Sequence, residues 1–252
     1  MRWLLDKFAP ASASVDLRRA RQFLKAAVGS RLIPANPFAD IACGTQENDS
    51  RIVYVPAETI ERVIAACPDD DWALVFALPR YAGLRFPSEV ANVKWDDVDW
   101  ENARFTVHEP KVEHHAGRGT RVVRIFAELR PHIEQAYRNR KEGAVYVVPR
   151  VRSTTNVATH AKRIVVTKAN VEVWPKLFVN LRGSCSDDLE RRGIPEKVIN
   201  AWIGNSARMR RRHYHAVRPA DWEAATGIPA PNPAPSTPVS GVQEPSHWHE
   251  SR

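Results

Sequence analysis

Apolar residues recur every three to four positions through most of this chain, and in two places the spacing changes to strict alternation. The first helical stretch begins at Val15, where Leu17, Ala20, Phe23, Leu24 and Ala27 fall on one face with basic residues opposite. Asp16 is placed to cap it, and Pro34 and Pro37 close it. Residues 1–14, ahead of that pattern, read as irregular. PAETIERVIAACP repeats the helical spacing through Ile60, Val63, Ile64 and Cys67, with Pro56 at a favourable first position. DDDWALVFALPRYAG is mostly apolar and predicts a buried helix whose aspartates suit the positive N-terminal end. Beyond it, Ser88 stands as a cap or first-turn residue, and Val90, Val93 and Trp95 face inward.

Alternation then takes over. ARFTVHEPK and TRVVRIF predict two strands, joined as a hairpin by the long polar connector VEHHAGRGT. AELRPHIEQAYRNRK and HAKRIVVTKAN return to helical spacing, the second with a basic face suited to lie along phosphates, and VYVVP between them reads as a short strand. In the stretch from Asn180 to Val217, Arg182 heads an amphipathic helix and an Ile-Gly-Asn turn follows a second helix. Tyr214 stands nine residues beyond Asn205. DWEAATG forms a last helix, and from Ile228 a Pro- and Ser-rich composition without apolar period predicts disorder. The pattern as a whole describes a mainly α protein with a small antiparallel β-hairpin sheet, of α+β type. It divides into a helical segment (1–42), a polar linker (43–55), a main domain (56–227) and a disordered tail (228–252).

Composition narrows the partners. The 252 residues, 43% of them hydrophobic, suffice for a sizeable core. A net charge of +8 and a pI near 9.7 make an anionic polymer the first partner to consider, although ribosomal and membrane-surface proteins share that basicity. Three cysteines, Cys43, Cys67 and Cys185, without CxxC spacing argue against a disulfide framework or a zinc site and suit core packing. Asp69–Asp71 fall at a helix start and His114–His115 in a Gly-containing loop, so no metal is expected. No apolar run approaches the roughly 18 residues of a membrane helix. The opening MRWLLDKFAPASAS has an acidic residue inside its apolar patch, unlike a signal peptide, so the expected setting is cytoplasmic, away from the membrane.

The spacing of Arg182, Asn205 and Tyr214 resembles the C-terminal half of the tyrosine recombinase (phage integrase) catalytic domain. There the motif reads His-x-x-Arg, then Leu-Gly-His or Leu-Gly-Trp, then the nucleophilic tyrosine. GLRFPSEVANVKWDDVDW resembles the family's first arginine box, which matches Arg85 to the first catalytic arginine and Glu89 to a structural acid beside it. Read alone, Arg85 fits a plainer role, pairing with Glu89 or capping a helix C-terminus. RLIPANPFADI is similar to the phrase that ends the family's core DNA-binding domain. On that match residues 1–42 are a remnant of the domain, and the chain resembles a truncated or degenerate integrase or a product with a late start. Lys111 is the best match to the hairpin lysine. Two positions depart from the motif: Asn205 replaces His or Trp but still donates through its amide, whereas Val179 replaces the first His and can neither hydrogen-bond nor move a proton. Asn180 beside it offers a neutral donor.

The resemblance implies site-specific cleavage and rejoining of double-stranded DNA through a 3′-phosphotyrosine, with no cofactor and no metal. Tyr214 would be the nucleophile, Arg85 and Arg182 the phosphate clamp, Lys111 the acid to the 5′ oxygen and Asn205 a further donor. Arginine suits the clamp because its planar fork stays charged and bonds phosphate bidentately. Arg208, Arg210, Arg211 and Arg212, with Arg118 and Arg121 of the hairpin, would contact DNA, on which protomers assemble as dimers to tetramers. Two other readings stay open. One is a degenerate integrase that binds DNA without catalysis, favoured by Val179 and the short arm; the other is a type IB topoisomerase-like enzyme, against which the NPF phrase argues.

Overall fold

The computed structural model describes residues 2–42, 49–108 and 119–204. The chain opens with two helices, α1 (Arg2–Lys7) and α2 (Pro10–Gly29), where the sequence pattern predicts an irregular start. Pro10 explains the early beginning of α2: at the first helical position its missing N–H removes no intrahelical bond. Asp16 therefore lies inside the helix, 3.6 Å from Arg19, and caps nothing. Ala13 and Leu17 carry the buried stripe, four residues apart, and Phe23 lies off it with 75% of its surface exposed. The expected inward position of Phe23 is thus corrected.

The main core is organised around α4 (Asp70–Tyr81), which follows α3 (Ala57–Ala65). The Asp69 carboxylate accepts from the Trp72 N–H at 2.9 Å and caps α4, and Asp70 and Asp71 sit at its positive end. Every residue from Leu74 to Tyr81 is buried, as the run of apolar residues predicts. A helix apolar on all sides needs neighbours on all sides. It has α3 on one side, α5 (Arg130–Asn139) on another and α8 (Leu177–Arg191) on a third.

Between α4 and α5 lies a three-stranded antiparallel sheet of β1 (Val98–Asp99), β2 (Arg104–His108) and β3 (Thr120–Arg124), in that order. The two longer strands pair as the alternation predicts, Phe105 opposite Val123 and Val107 opposite Arg121. The two-residue β1 is too short to show a period in sequence. VYVVP, expected as a strand, forms a single bridge from Tyr146 to Lys94, because the partner chain turns at once into the 3-10 turn Trp95–Asp97. A one-turn α6 (Arg150–Ser153) and α7 (Val157–Arg163) follow, and α7 widens into a π turn over Ile164–Lys168.

A second, smaller apolar cluster of Cys185, Leu189, Ile199 and Ile203 joins α8 to α9 (Glu196–Ile203). Burial pushes the Cys185 thiol up to about 12, as it does that of Cys67, so both behave as core groups, in line with their sequence context. Cys43 lies outside the described residues. Among the described residues no helix is long and apolar enough to cross a membrane.

Candidate active site

The turn after α4 is where the arginines gather. Gly83 adopts φ +64°, and a Cβ there would sit 3.2 Å from Ile203 and 3.5 Å from the Cys185 sulfur. Glycine thus permits both the left-handed turn and the close approach of α8 and α9. Two residues on, Arg85 leaves the turn, and Phe86 stacks on Phe178 of α8 with ring centroids 3.7 Å apart. Arg182 lies on α8 itself, 2% exposed. Arg121 occupies an inward-facing position of β3, in phase with Val123.

All three guanidinium groups meet on one carboxylate, that of Glu89, which is 2% exposed. Arg121 donates to both of its oxygens, at 3.0 and 2.6 Å. Arg85 donates from Nη1 at 2.5 Å and from its backbone N–H at 2.7 Å, and Arg182 donates from Nη1 at 3.3 Å. Burial by itself would raise the Glu89 carboxyl. The hydrogen bonds and charge of Arg121, then the charge of Arg182 and the Arg85 amide, outweigh it and hold the group below the usual glutamate range.

The same arginines close the end of α9. Arg121 Nε donates to the carbonyl of Trp202 at 2.7 Å, Arg182 Nη2 to that of Ile203 at 2.7 Å, and Arg85 Nη2 to that of Gly204. Three successive carbonyls, which a helix end leaves without intrahelical partners, are each met by a different arginine. Gly204 makes the turn possible at φ +71°. Arg182 also donates to the Gly83 carbonyl at 2.6 Å, which ties α8 to the turn. Arg85 therefore pairs with Glu89 and caps a helix C-terminus as well, the two plain roles its sequence context allows. Its side chain is nevertheless the most exposed of the three, at 36% against 7% for Arg121 and 2% for Arg182.

Among the described residues three guanidinium groups face one carboxylate, which makes the centre positive, a setting suited to a phosphate. The expected clamp residues Arg85 and Arg182 do come together. Arg121 does not behave as an exposed DNA contact: its side chain is buried against Glu89 and Trp202. Alternation along TRVVR carries the signal for that placement, because residues 121 and 123 share a face. Asn180 is likewise unsuited as a phosphate donor, since its amide donates to the carbonyls of Arg51 at 3.0 Å and Pro175 at 2.7 Å. Val179 is 42% exposed on α8. Lys111, Asn205, Tyr214, Arg118, Arg208, Arg210, Arg211 and Arg212 lie outside the described residues.

A profile of the phage integrase family matches residues 54–220, two-thirds of the chain and all of the arginine centre. The chain belongs to the phage integrase family. Solved integrase structures share its fold. A Tn1549 transposon integrase in complex with circular intermediate DNA superposes with a TM-score of 0.62 at 18% identity, over 89% of this chain and 82% of that one. A lambda integrase dimer bound to a COC′ core site gives 0.64 at 14% identity, over 86% and 79%. XerA recombinase gives 0.53 at 17% identity, and the chain spans 63% of it. Curated protein sequences give no match. In integrase terms, the helix-rich body and small antiparallel sheet are those of the catalytic domain, as the resemblance implied.

Proposed function

We propose that this integrase-family chain is a site-specific DNA recombinase that cleaves and rejoins strands through Tyr214. The observation that carries the reading is the convergence of Arg85 and Arg182, far apart in sequence, at the end of α9, just ahead of the segment that contains Tyr214. The Tyr214 hydroxyl gives up its proton to solvent as its oxygen attacks the phosphorus, the bond to the 5′ oxygen breaks, and a 3′-phosphotyrosine forms. Lys111 gives the leaving 5′ oxygen its proton, and Asn205 adds a neutral donor to the phosphate. The bond energy is kept in the phosphotyrosine, so rejoining requires no nucleotide. The basic run Arg208 to Arg212, with Arg118, holds the duplex through its phosphates, and the protein works in the cytoplasm. Lambda integrase has been solved as a dimer on a core site and as a tetramer on a Holliday junction, which supports assembly of two to four copies on DNA.

Supercoiled plasmid tests the reading without knowledge of the target site. The parent is expected to relax it and to form a detergent-resistant protein–DNA adduct, and Tyr214→Phe to do neither. Val179 favours a second reading, a DNA-binding remnant without catalysis, because it cannot take or give a proton. Val179→His separates the two. As a partial acid–base defect, it is expected to regain on the order of tenfold or more in adduct rate. A parent and a Val179→His variant that both bind plasmid and leave no adduct would support the remnant.

A further inference from the structure

Arg121 has no role in the proposed clamp, yet its guanidinium alone bonds both oxygens of the buried carboxylate from one side chain. We propose that Arg121 is a positioning residue: through Glu89 and the Trp202 carbonyl it fixes the orientation of Arg85 and Arg182 and the docking of α9 beside them. The inference rests on the reading of this centre as the DNA-cleaving site.

The geometry assigns the part. A guanidinium that bonds both oxygens of a carboxylate fixes its plane, and the Arg121 bonds at 3.0 and 2.6 Å do this for Glu89. Arg85 and Arg182 approach the same two oxygens, at 2.5 and 3.3 Å, so their directions are set relative to that plane. The third Arg121 donor, Nε, holds Trp202 at 2.7 Å and so fixes the last turn of α9 against β3. Trp202 is held from its ring as well, stacked on Phe126 with centroids 4.8 Å apart. A strand residue suits this task because β3 is anchored by its ladder to β2, whereas Arg85 leaves a turn. Lysine offers charge without the fork, so it cannot bond both carboxylate oxygens in one plane and the Trp202 carbonyl as well. A clamp displaced by about 1 Å loses on the order of 10² in rate.

The test compares the full chain with Arg121→Met, Arg121→Lys and, as control, Arg124→Met, whose side chain reaches the Asn102 carbonyl at 3.4 Å on the exposed face of β3. Each protein is assayed for affinity for a plasmid-derived duplex, for adduct rate on supercoiled plasmid at saturating protein, and for amide exchange in the peptide spanning 196–204. Arg121→Met should bind within about threefold of the parent and form adduct about 10²-fold more slowly. The rate deficit should deepen from pH 7 to 5, because the carboxylate has lost its main partner. Arg121→Lys should recover less than about tenfold of the rate. Exchange in 196–204 should quicken in both, and Arg124→Met should match the parent. If Arg121→Met does not fold, Arg121→Lys carries the comparison. Affinity that falls in step with adduct rate would make Arg121 a DNA contact and overturn the proposal. So would an adduct rate within twofold of the parent, or unchanged exchange in α9. A parent that forms no adduct refutes the functional reading instead, and the exchange measurement alone then decides whether Arg121 positions α9.

Discussion

Two carboxylates in this domain each gather arginines, and they do so for different neighbours. Glu89 meets Arg85, Arg121 and Arg182, and each of the three also donates to a carbonyl at the end of α9. Asp188, on α8, meets Arg80 at 2.6 Å and Arg191 at 2.5 Å and accepts from the Tyr54 hydroxyl at 2.8 Å. Asp188 also belongs to a stripe. Asn180, Ser184 and Asp188, four residues apart on one face of α8, hold residues 51–55: the Val55 N–H donates to Ser184 at 2.8 Å, and Asn180 donates to the Arg51 carbonyl. Arg80 closes this region by donating to the Val55 carbonyl at 3.2 Å. One helix thus carries the positive centre through Arg182 and grips the segment leading into the domain through its other face. The difference lies in solvent: Glu89 is almost wholly buried, while the Asp188 side chain keeps 23% of its surface in water.

That difference sets the order of expected losses. Glu89→Gln removes a carboxylate shared by three guanidinium groups, two of them buried, and should cost about 3–5 kcal/mol in denaturant unfolding. The loss has a defined pH dependence. The Glu89 carboxyl is held low in the folded chain, so its stabilisation is fully present above the unfolded value of about 4.3 and vanishes as pH falls through the lower folded value. The gap between parent and Glu89→Gln should therefore stay constant from pH 7 to about 5 and narrow below about 4. A gap that widens in acid would mean that the arginines do not keep this carboxylate ionised.

How much of this was legible in the sequence depends on the range of the interaction. The α4 helix could be read because its cap and its apolar run lie within one stretch, and the hairpin because alternation is local. Arg85, Glu89 and Arg182 could be matched to motifs, but nothing local says that three guanidinium groups share one carboxylate or close three successive carbonyls of α9. The charge of Arg121 suggests DNA, while its phase with Val123 places its side chain inside. The grip on residues 51–55 was hidden for a similar reason. Asn180, Ser184 and Asp188 look like the polar face of a helix, and only the fold shows that this face meets a backbone segment instead of water.

The Asp188 centre should yield more gently. Asp188→Asn leaves the buried Arg80 without its carboxylate, yet Asn keeps an acceptor and the site is partly hydrated, so a loss of about 2 kcal/mol is expected. Burial works against the Arg80 charge, and Asp188 is the principal group that offsets it. Because Asp188 lies on the face of α8 away from the arginine centre, the substitution should loosen residues 51–55 in amide exchange and leave exchange in 196–204 unchanged. A loss equal to that of Glu89→Gln would erase the distinction between the two centres.

The smallest effect isolates the grip from the charges. The Tyr54 hydroxyl donates to Asp188 while Arg191 lies over the Tyr54 ring, 4.4 Å from its centroid. Burial, then the bond to Asp188, raises the phenol above its ordinary value, so it stays a donor throughout the physiological range. Tyr54→Phe keeps the ring beneath Arg191 and removes only the donor, which should cost about 1 kcal/mol. Asp188 retains both arginines, so the core around Arg80 has no reason to shift. The loss should then appear as faster exchange in 51–55 with little change in the midpoint of global unfolding. If Tyr54→Phe instead destabilises the whole domain as much as Asp188→Asn does, the hydroxyl is what organises the Asp188 centre, and the arginines there are secondary to it.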